Sequence, residues 1–281
     1  MVTTPGAPIT QTPVTQAVAP IVTWEALPDD VPLDDEPVEN TGQPLLAGAL
    51  RESLELAGFI QPEMLIASNF GLCATVNGDL VIKAPDWVYV PSVSTLEADR
   101  RSYTPNLQGA TPIVVMEFLS HKDGGEYSVK RTFPPGKWFF YEQILKIPVY
   151  VIFEPAEGLL EVHQLTAGRY ELQPPTPENR VWLAEMGLFL GIWQGAKEER
   201  TGYWLRWWDE AGNLLPWAVE QIEQERQRAE QESQRAEQES QRAEQEYQRA
   251  EQERQRAEEE RQRAERLAEY LRSQGINPDS L

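Results

Sequence analysis

The sequence predicts an α/β fold: a mixed, curved central β-sheet with flanking helices, followed by a long charged helix. Three observations predict it. Short β-branched and aromatic runs recur between residues 70 and 208, separated by turn residues. Two segments, 45–57 and 137–145, carry apolar residues at helical spacing. A seven-residue repeat occupies the C-terminal part of the chain.

Composition divides the 281 residues into one domain with two appendages. Residues 1–44 are rich in Pro, Thr, Ala and acids and show little periodicity, which predicts a disordered tail. The folded domain is predicted over 45–216, the charged heptad-repeat helix over 217–272, and a C-terminal tail over 273–281.

The first predicted elements are a helix and a hairpin. Leucines spaced four residues apart give 45–57 one apolar face, and Gly58 ends the helix. Asn77-Gly78 lies between two apolar runs, and this dipeptide favours a tight hairpin turn. The chain therefore enters its sheet region through a helix and an antiparallel pair.

The later elements alternate strands with one further helix. Residues 113–119 read as a short apolar strand whose only charged member is Glu117. The helix over 137–145 follows two prolines and a glycine, which suits a helix start. Residues 149–172 read as an antiparallel meander, and a strand over 203–208 is followed by a turn.

The C-terminal repeat predicts a solvated helix. In each seven-residue unit only an alanine is reliably apolar, and the companion core position is Glu in five of the six units that begin at Ala229. Burying those carboxylates would be prohibitive, whereas Glu–Arg pairs three residues apart stabilise an isolated helix. We therefore predict a semi-rigid single helix with weak self-association through its alanine stripe, and a stable coiled coil is the disfavoured alternative.

The charge balance is acidic, with 45 Asp and Glu against 25 Lys and Arg and a net charge of −20. This disfavours general nucleic-acid binding, because phosphate contacts need Lys and Arg. One window is an exception: from Arg100 to Lys137 there are six bases and three acids. The basic side chains of this window would contact phosphate groups, although a solvated loop would have the same composition.

Cysteine and histidine are scarce. Cys73 is the only cysteine, and His121 and His163 are the only histidines, so disulfides and cysteine-based or histidine-rich metal sites are disfavoured. The N-terminus lacks a basic start followed by an apolar core, and no run approaches the ~20 apolar residues of a membrane span. We expect a reduced, cytoplasmic protein with no signal peptide and no membrane contact.

Three ionisable residues, Asp86, Glu117 and Lys137, interrupt apolar stretches. A carboxylate in such a run is costly unless it is paired or its pKa shifts. Mg²⁺ binds hard oxygens and usually takes one or two carboxylates, and a lysine beside it can orient water and offset transition-state charge. The sequence thus predicts a magnesium site at Asp86 and Glu117, with the Phe118 carbonyl as a third oxygen and Lys137 as a catalytic group.

Each member also has a simpler interpretation. Pro-Asp is a common turn, which would explain Asp86, and a lysine at a helix start is often a surface residue. Glu117 is the sharpest of the three, because an acid within Val-Val-Met-Glu-Phe-Leu is either functional or ion-paired. Tyr141, one helical turn after Lys137, belongs either to the core or to the site.

Four motifs match the pattern of a known family. They are Pro85-Asp86, Glu117-Phe118-Leu119-Ser120, Lys137 with Tyr141, and a strand that ends in Glu154-Pro155. With these motifs the chain resembles the Uma-two family of endonucleases over about residues 45–215. That family belongs to the PD-(D/E)XK superfamily, so the resemblance implies a restriction-endonuclease-like fold, with Asp86 and Glu117 as metal-binding acids and Lys137 as the catalytic lysine.

The resemblance departs from the superfamily pattern in places. The usual lysine position, two residues after the Glu, holds Leu119, so Lys130 and Lys122 stay open as alternatives to Lys137. Members of the superfamily often carry a further catalytic Glu on their first helix, and Glu55 is the best match to that residue in this chain. The loop Gly124-Gly125-Glu126-Tyr127 replaces the commoner Ser-Pro-Ser-Thr form, which implies a different substrate preference.

The sequence therefore predicts a Mg²⁺-dependent endonuclease, with Mn²⁺ as an alternative cofactor and DNA as the expected substrate. The competing hypothesis is a catalytically inactive interaction protein that keeps the nuclease fold and uses the long helix as a spacer or docking arm. A homodimer is compatible with either function.

Overall fold

The computed structural model describes residues 20–27, 41–95, 99–119 and 125–275. The predicted tails therefore lie largely outside the described residues. The chain divides into two compact units, Met1–Ala218 and Val219–Leu281.

Numbered along the described chain, the strands of the first unit are β1 (Val22–Thr23), β2 (Leu65–Ala67), β3 (Gly71–Val76), β4 (Asp79–Lys83), β5 (Trp87–Val90), β6 (Ser102–Tyr103), β7 (Val114–Phe118), β8 (Val149–Glu154), β9 (Leu159–Thr166), β10 (Arg169–Leu172), β11 (Arg180–Leu183), β12 (Leu188–Lys197) and β13 (Arg200–Trp208).

Six of these strands form the central sheet, in the order β10-β9-β8-β7-β5-β2. β7 and β8 are parallel, and the other neighbours in this sheet are antiparallel, which confirms the predicted mixed sheet.

Helix α1 (Gly42–Leu56) covers one face of this sheet. Its leucines pack with alternate residues of the central strands, among them Met116 and Phe118 of β7. The three-stranded sheet β11-β12-β13 joins the same core, and the Trp207 indole donates to the α1 carbonyl of Leu50 at 3.2 Å. The predicted first helix is confirmed, with its start three residues earlier.

A short helix covers the other face. Helix α2 (Lys137–Phe139) continues as a π-helical segment, Phe140–Leu145. Its buried side chains pack with Val115 of β7 and Ile152 of β8. π-Helical turns occur often at functional sites, and this one fixes the chain segment that carries Lys137 and Tyr141.

A second sheet packs against that same core and contains the predicted hairpin. β3 and β4 pair around Asn77 and Gly78, whose φ values of 54° and 92° are those of a tight hairpin turn. The sheet also includes β1, which pairs with β3, and β6. β1 lies inside the predicted disordered tail over 1–44, so the structure differs from the sequence prediction at residues 20–27, where backbone pairing orders a segment of low periodicity.

The second unit consists of the greater part of α3 (Ala218–Ser273), which has 56 residues and none buried. Glutamine–glutamate hydrogen bonds four residues apart line it, for example Gln227 to Glu223 at 3.0 Å. The long charged helix is thus confirmed, while its self-association stays a prediction. None of the helices in the described part of the chain combines the length and apolar character that a membrane span requires.

Candidate active site

Asp86 and Glu117 lie opposite one another on neighbouring strands. β5 and β7 pair in the register Trp87↔Met116 and Val88↔Val115, and extending it by one residue brings Asp86 opposite Glu117. Directly opposite residues present their side chains on the same face of a sheet, ~5 Å apart at Cβ. Because Val88 and Val115 belong to the core beneath α2, both acids point to the α2 side.

The Glu117 carboxylate is buried, with 1% of the residue exposed, and both of its oxygens have partners. Lys137 Nζ lies 3.0 Å from Oε2, and the Tyr141 hydroxyl donates to Oε1 at 3.0 Å. Lys137 and Tyr141 are four residues apart on one helical segment, so a single turn delivers both groups to one carboxylate. Tyr141 is therefore both a core residue and a site residue.

Burial raises the pKa of Glu117 to about 8, and the Asp86 carboxylate adds to this rise, although the Lys137 ammonium opposes it. Burial by itself would lower the pKa of Lys137, but the Glu117 carboxylate raises it above the ordinary value. The lysine is consequently charged at neutral pH, and Glu117 is an acid that a proton or a cation would stabilise.

Asp86 is half-buried and is held by the backbone of the neighbouring strand. Its Oδ2 accepts a hydrogen bond from the Phe118 amide at 2.5 Å. The Phe118 carbonyl, the predicted third oxygen, accepts from Gln43 Nε2 at 2.8 Å. A carbonyl oxygen has two lone pairs, so this bond orients the Phe118 carbonyl and leaves one lone pair for another partner.

Gln43 is a site residue that the sequence analysis missed. It is buried near the start of α1 and belongs to the segment assigned to the tail over 1–44. The apolar periodicity predicts a helix only from Leu45, two residues after Gln43. The pair Gln43-Pro44 was the available signal, because proline is favoured in the first turn of a helix.

Glu55 does not join the other predicted residues. It lies exposed on α1, and among the described residues no hydrogen bond or ion pair links it to Asp86, Glu117 or Lys137. The α1 side chain that reaches the end of β7 is that of Gln43. The role of Glu55 stays a prediction that the contacts do not support.

Among the candidate lysines, Lys137 is the one in contact with Glu117. Lys130 is exposed in the loop before α2. Lys122, together with Ser120 and His121, lies outside the described residues. The geometry therefore favours the lysine on the helix, as the family pattern implies.

Glu126 is a second residue that the sequence analysis did not assign to the site. It lies on a one-turn 3₁₀ helix, Gly125–Tyr127, and its Oε1 is 3.8 Å from Lys137 Nζ. Only 8% of its side chain is exposed. Lys137 thus lies between two buried carboxylates, those of Glu117 and Glu126.

The donor set suits a hard divalent cation. Asp86 and Glu117 provide carboxylates and Phe118 a carbonyl, which matches Mg²⁺ because that ion usually takes one or two protein carboxylates and keeps several waters. Over the described ranges, no group of three or more His, Cys, Asp or Glu side chains is positioned to hold a metal. The protein would therefore supply two carboxylates to one ion.

Comparison with known proteins gives one family. The model of the Uma2 family, described as "Putative restriction endonuclease", matches residues 52–197, which is more than half of the chain. No curated relative matches the sequence. The matched range contains Asp86, Glu117, Glu126 and Lys137, and it begins after Gln43.

Proposed function

This chain belongs to the restriction-endonuclease-like Uma2 family, and from that premise we propose that it hydrolyses phosphodiester bonds in DNA with the help of Mg²⁺ or Mn²⁺. The observation that carries the proposal is the arrangement of two acids on paired strands, with Lys137 and Tyr141 in contact with the more buried one. Buried, coupled ionisable groups of this kind are a recognised sign of a catalytic site.

Asp86 and Glu117 would hold the divalent cation, which when bound polarises the phosphate and lowers the pKa of an attacking water. Each carboxylate is held in place by a second group: the Phe118 amide donates to Asp86, and Tyr141 donates to Glu117. Such hydrogen bonds fix ligand orientation before substrate binds. Lys137 donates to the attacking water and offsets negative charge that develops on the phosphate.

Local charge supports a polyanionic substrate despite the acidic chain. Arg101, Lys130 and Arg131 are exposed and belong to the basic window that leads to Lys137. Exposed Lys and Arg side chains contact phosphates and make binding weaker as salt rises. The exposed bases of this window would therefore provide the contacts to the nucleic-acid backbone.

Replacing Asp86 by Ala is expected to reduce Mg²⁺-dependent nicking of supercoiled plasmid by about 10²-fold or more, because one of two carboxylate ligands is lost. The matched control is Asp79→Ala, which removes an exposed acid at the start of β4 and should leave cleavage unchanged. The assay compares both variants with wild type in Mg²⁺, in Mn²⁺ and in a chelator, with RNA as a parallel substrate.

Equal cleavage by wild type and Asp86→Ala would contradict this site. Cleavage of RNA alone would replace DNA as the substrate. Cleavage of neither nucleic acid by the wild type would favour the non-catalytic interaction protein.

A further inference from the structure

The proposed mechanism leaves one buried acid beside the site unused, Glu126. Its side chain is more than nine-tenths buried, and its Oε2 has no hydrogen-bond partner among the described residues. A buried carboxylate oxygen without a hydrogen-bond partner destabilises the folded state. Glu126 also lies in the loop that departs from the common family form, so the family pattern assigns it no role.

The surrounding contacts hold Glu126 in one position. The hydroxyl of the buried Tyr150 donates to the Glu126 carbonyl at 3.0 Å. The Ser128 carbonyl accepts from the Phe139 amide at 3.4 Å, which ties the turn to α2. At Gly136 an added Cβ would lie 2.1 Å from the Ser128 oxygen, so the turn and the helix start are in direct backbone contact.

Lys137 has two acidic neighbours, Glu117 and Glu126, and only Glu117 is a proposed metal ligand. Glu117 Oε2 is 3.0 Å from Nζ, and Glu126 Oε1 is 3.8 Å from it. As a metal ligand, Glu117 would share its negative charge with the cation and would hold Lys137 less firmly. Among the described residues, Glu126 is the carboxylate within 4 Å of the ammonium that is not a proposed metal ligand. Asp86 also acts on Lys137 electrostatically, but it is the other proposed metal ligand.

We propose that Glu126 is a positioning residue that holds the Lys137 ammonium at the attacking water during catalysis. The proposal rests on the proposed function, because it assigns a role within the same site. It is distinct from a role as a third metal ligand, since the described side chains form no three-acid group that could hold a metal. Glu126 acts by positioning Lys137, and it contacts no reacting atom itself.

The test is Glu126→Gln, which keeps the size of the side chain and removes its charge. We expect kcat for plasmid nicking to fall about tenfold or more, because small displacements of a catalytic group lower the rate strongly. KM for plasmid should stay within about threefold, and Mn²⁺ affinity measured by calorimetry without DNA should also stay within about threefold. Glu126→Asp, which keeps the charge on a shorter side chain, should lie between Gln and wild type.

The matched control is Glu142→Gln. Glu142 is also buried and paired, with the Tyr170 amide 2.8 Å from Oε1 and Arg169 3.3 Å from Oε2, but among the described contacts none joins it to Lys137 or Glu117. Its kcat is expected to stay within about twofold of wild type. Thermal unfolding of each variant verifies folding, and Glu126→Asp carries the test if Glu126→Gln does not fold.

Two results would overturn the inference while wild-type cleavage stands. One is a kcat of Glu126→Gln equal to that of the control. The other is a tenfold or greater loss of Mn²⁺ affinity, which would make Glu126 a metal ligand. An inactive wild-type protein, in contrast, would remove the proposed function itself and this role with it.

Discussion

Glu117→Gln is expected to lower plasmid cleavage by about 10²–10³-fold and, at the same time, to raise the melting temperature at neutral pH. Cleavage falls because glutamine is a poor ligand for Mg²⁺, which prefers charged oxygens. Stability rises because the carboxylate is buried, and burial outweighs the attraction of Lys137. A neutral side chain of the same shape avoids that desolvation penalty, and the partly exposed Lys137 keeps Glu126 as an acidic neighbour at 3.8 Å.

The pH dependence of the stability gain follows from the pKa of Glu117. This pKa is about 8 in the folded chain, whereas the ordinary value of 4.5 applies once the chain unfolds. Between these values the folded state binds more protons, so wild-type stability is fully present below pH 4.5 and falls as pH rises towards 8. The advantage of Glu117→Gln should therefore be small at pH 4.5 and grow to a few kcal/mol at pH 8, or roughly 5 °C or more in melting temperature.

Glu171→Gln is the control for this stability measurement, because Glu171 is an exposed acid on β10. Thermal unfolding in a chelator, measured from pH 4.5 to 8.5, compares the variants without bound cation. A Glu117→Gln protein that is less stable than wild type at pH 8 would contradict the assigned cost of burying this carboxylate. Cleavage equal to wild type would contradict its catalytic role.

Lys137→Met is expected to lower kcat by about 10²–10³-fold at pH 9.5, where Mn²⁺ should still bind, because the lysine orients water and offsets charge without binding the metal. Loss of the ammonium also removes the opposing influence on Glu117, whose pKa should rise further. The proton held by Glu117 would then compete more strongly with the cation, so the residual activity should move to higher pH. Single-turnover cleavage measured from pH 6 to 9.5 checks both effects.

Lys146→Met is the matched control for that substitution. Lys146 is exposed at the opposite end of the same helical segment, and its replacement should leave kcat unchanged. Lys130→Met decides between the candidate lysines. If kcat falls in Lys130→Met and stays high in Lys137→Met, the assignment of the catalytic lysine is contradicted.

The proximity of Asp86, Glu117 and Lys137 could be predicted from the sequence because each of them interrupts a local pattern. Glu117 is an acid inside an apolar strand, and the strand register then places Asp86 opposite it. Lys137 begins a segment whose aromatic residues must be buried, so its position in the fold is constrained. Interruptions of this kind can be recognised within a few residues of sequence. The periodicity of strands and helices then determines on which face of the fold each residue lies.

The contacts that Gln43 and Glu126 make could not be predicted in the same way. Gln43 reaches Phe118 across 75 positions of sequence, and Glu126 lies on a one-turn 3₁₀ helix that Tyr150 from β8 holds in place. Both depend on tertiary contacts between segments with no shared periodicity. The same reason explains β1, a two-residue strand whose order comes from pairing with β3 rather than from its own composition.

Anomalous diffraction from wild-type crystals soaked in Mn²⁺ tests the central claim most directly, because it locates the cation at the acids themselves. We expect one strong peak between the carboxylates of Asp86 and Glu117, at coordination distances of ~2.0–2.2 Å, and no such peak in Glu117→Gln crystals. Absence of a peak at these acids in the wild type, or a peak at another group of acids, would contradict the assignment of this site.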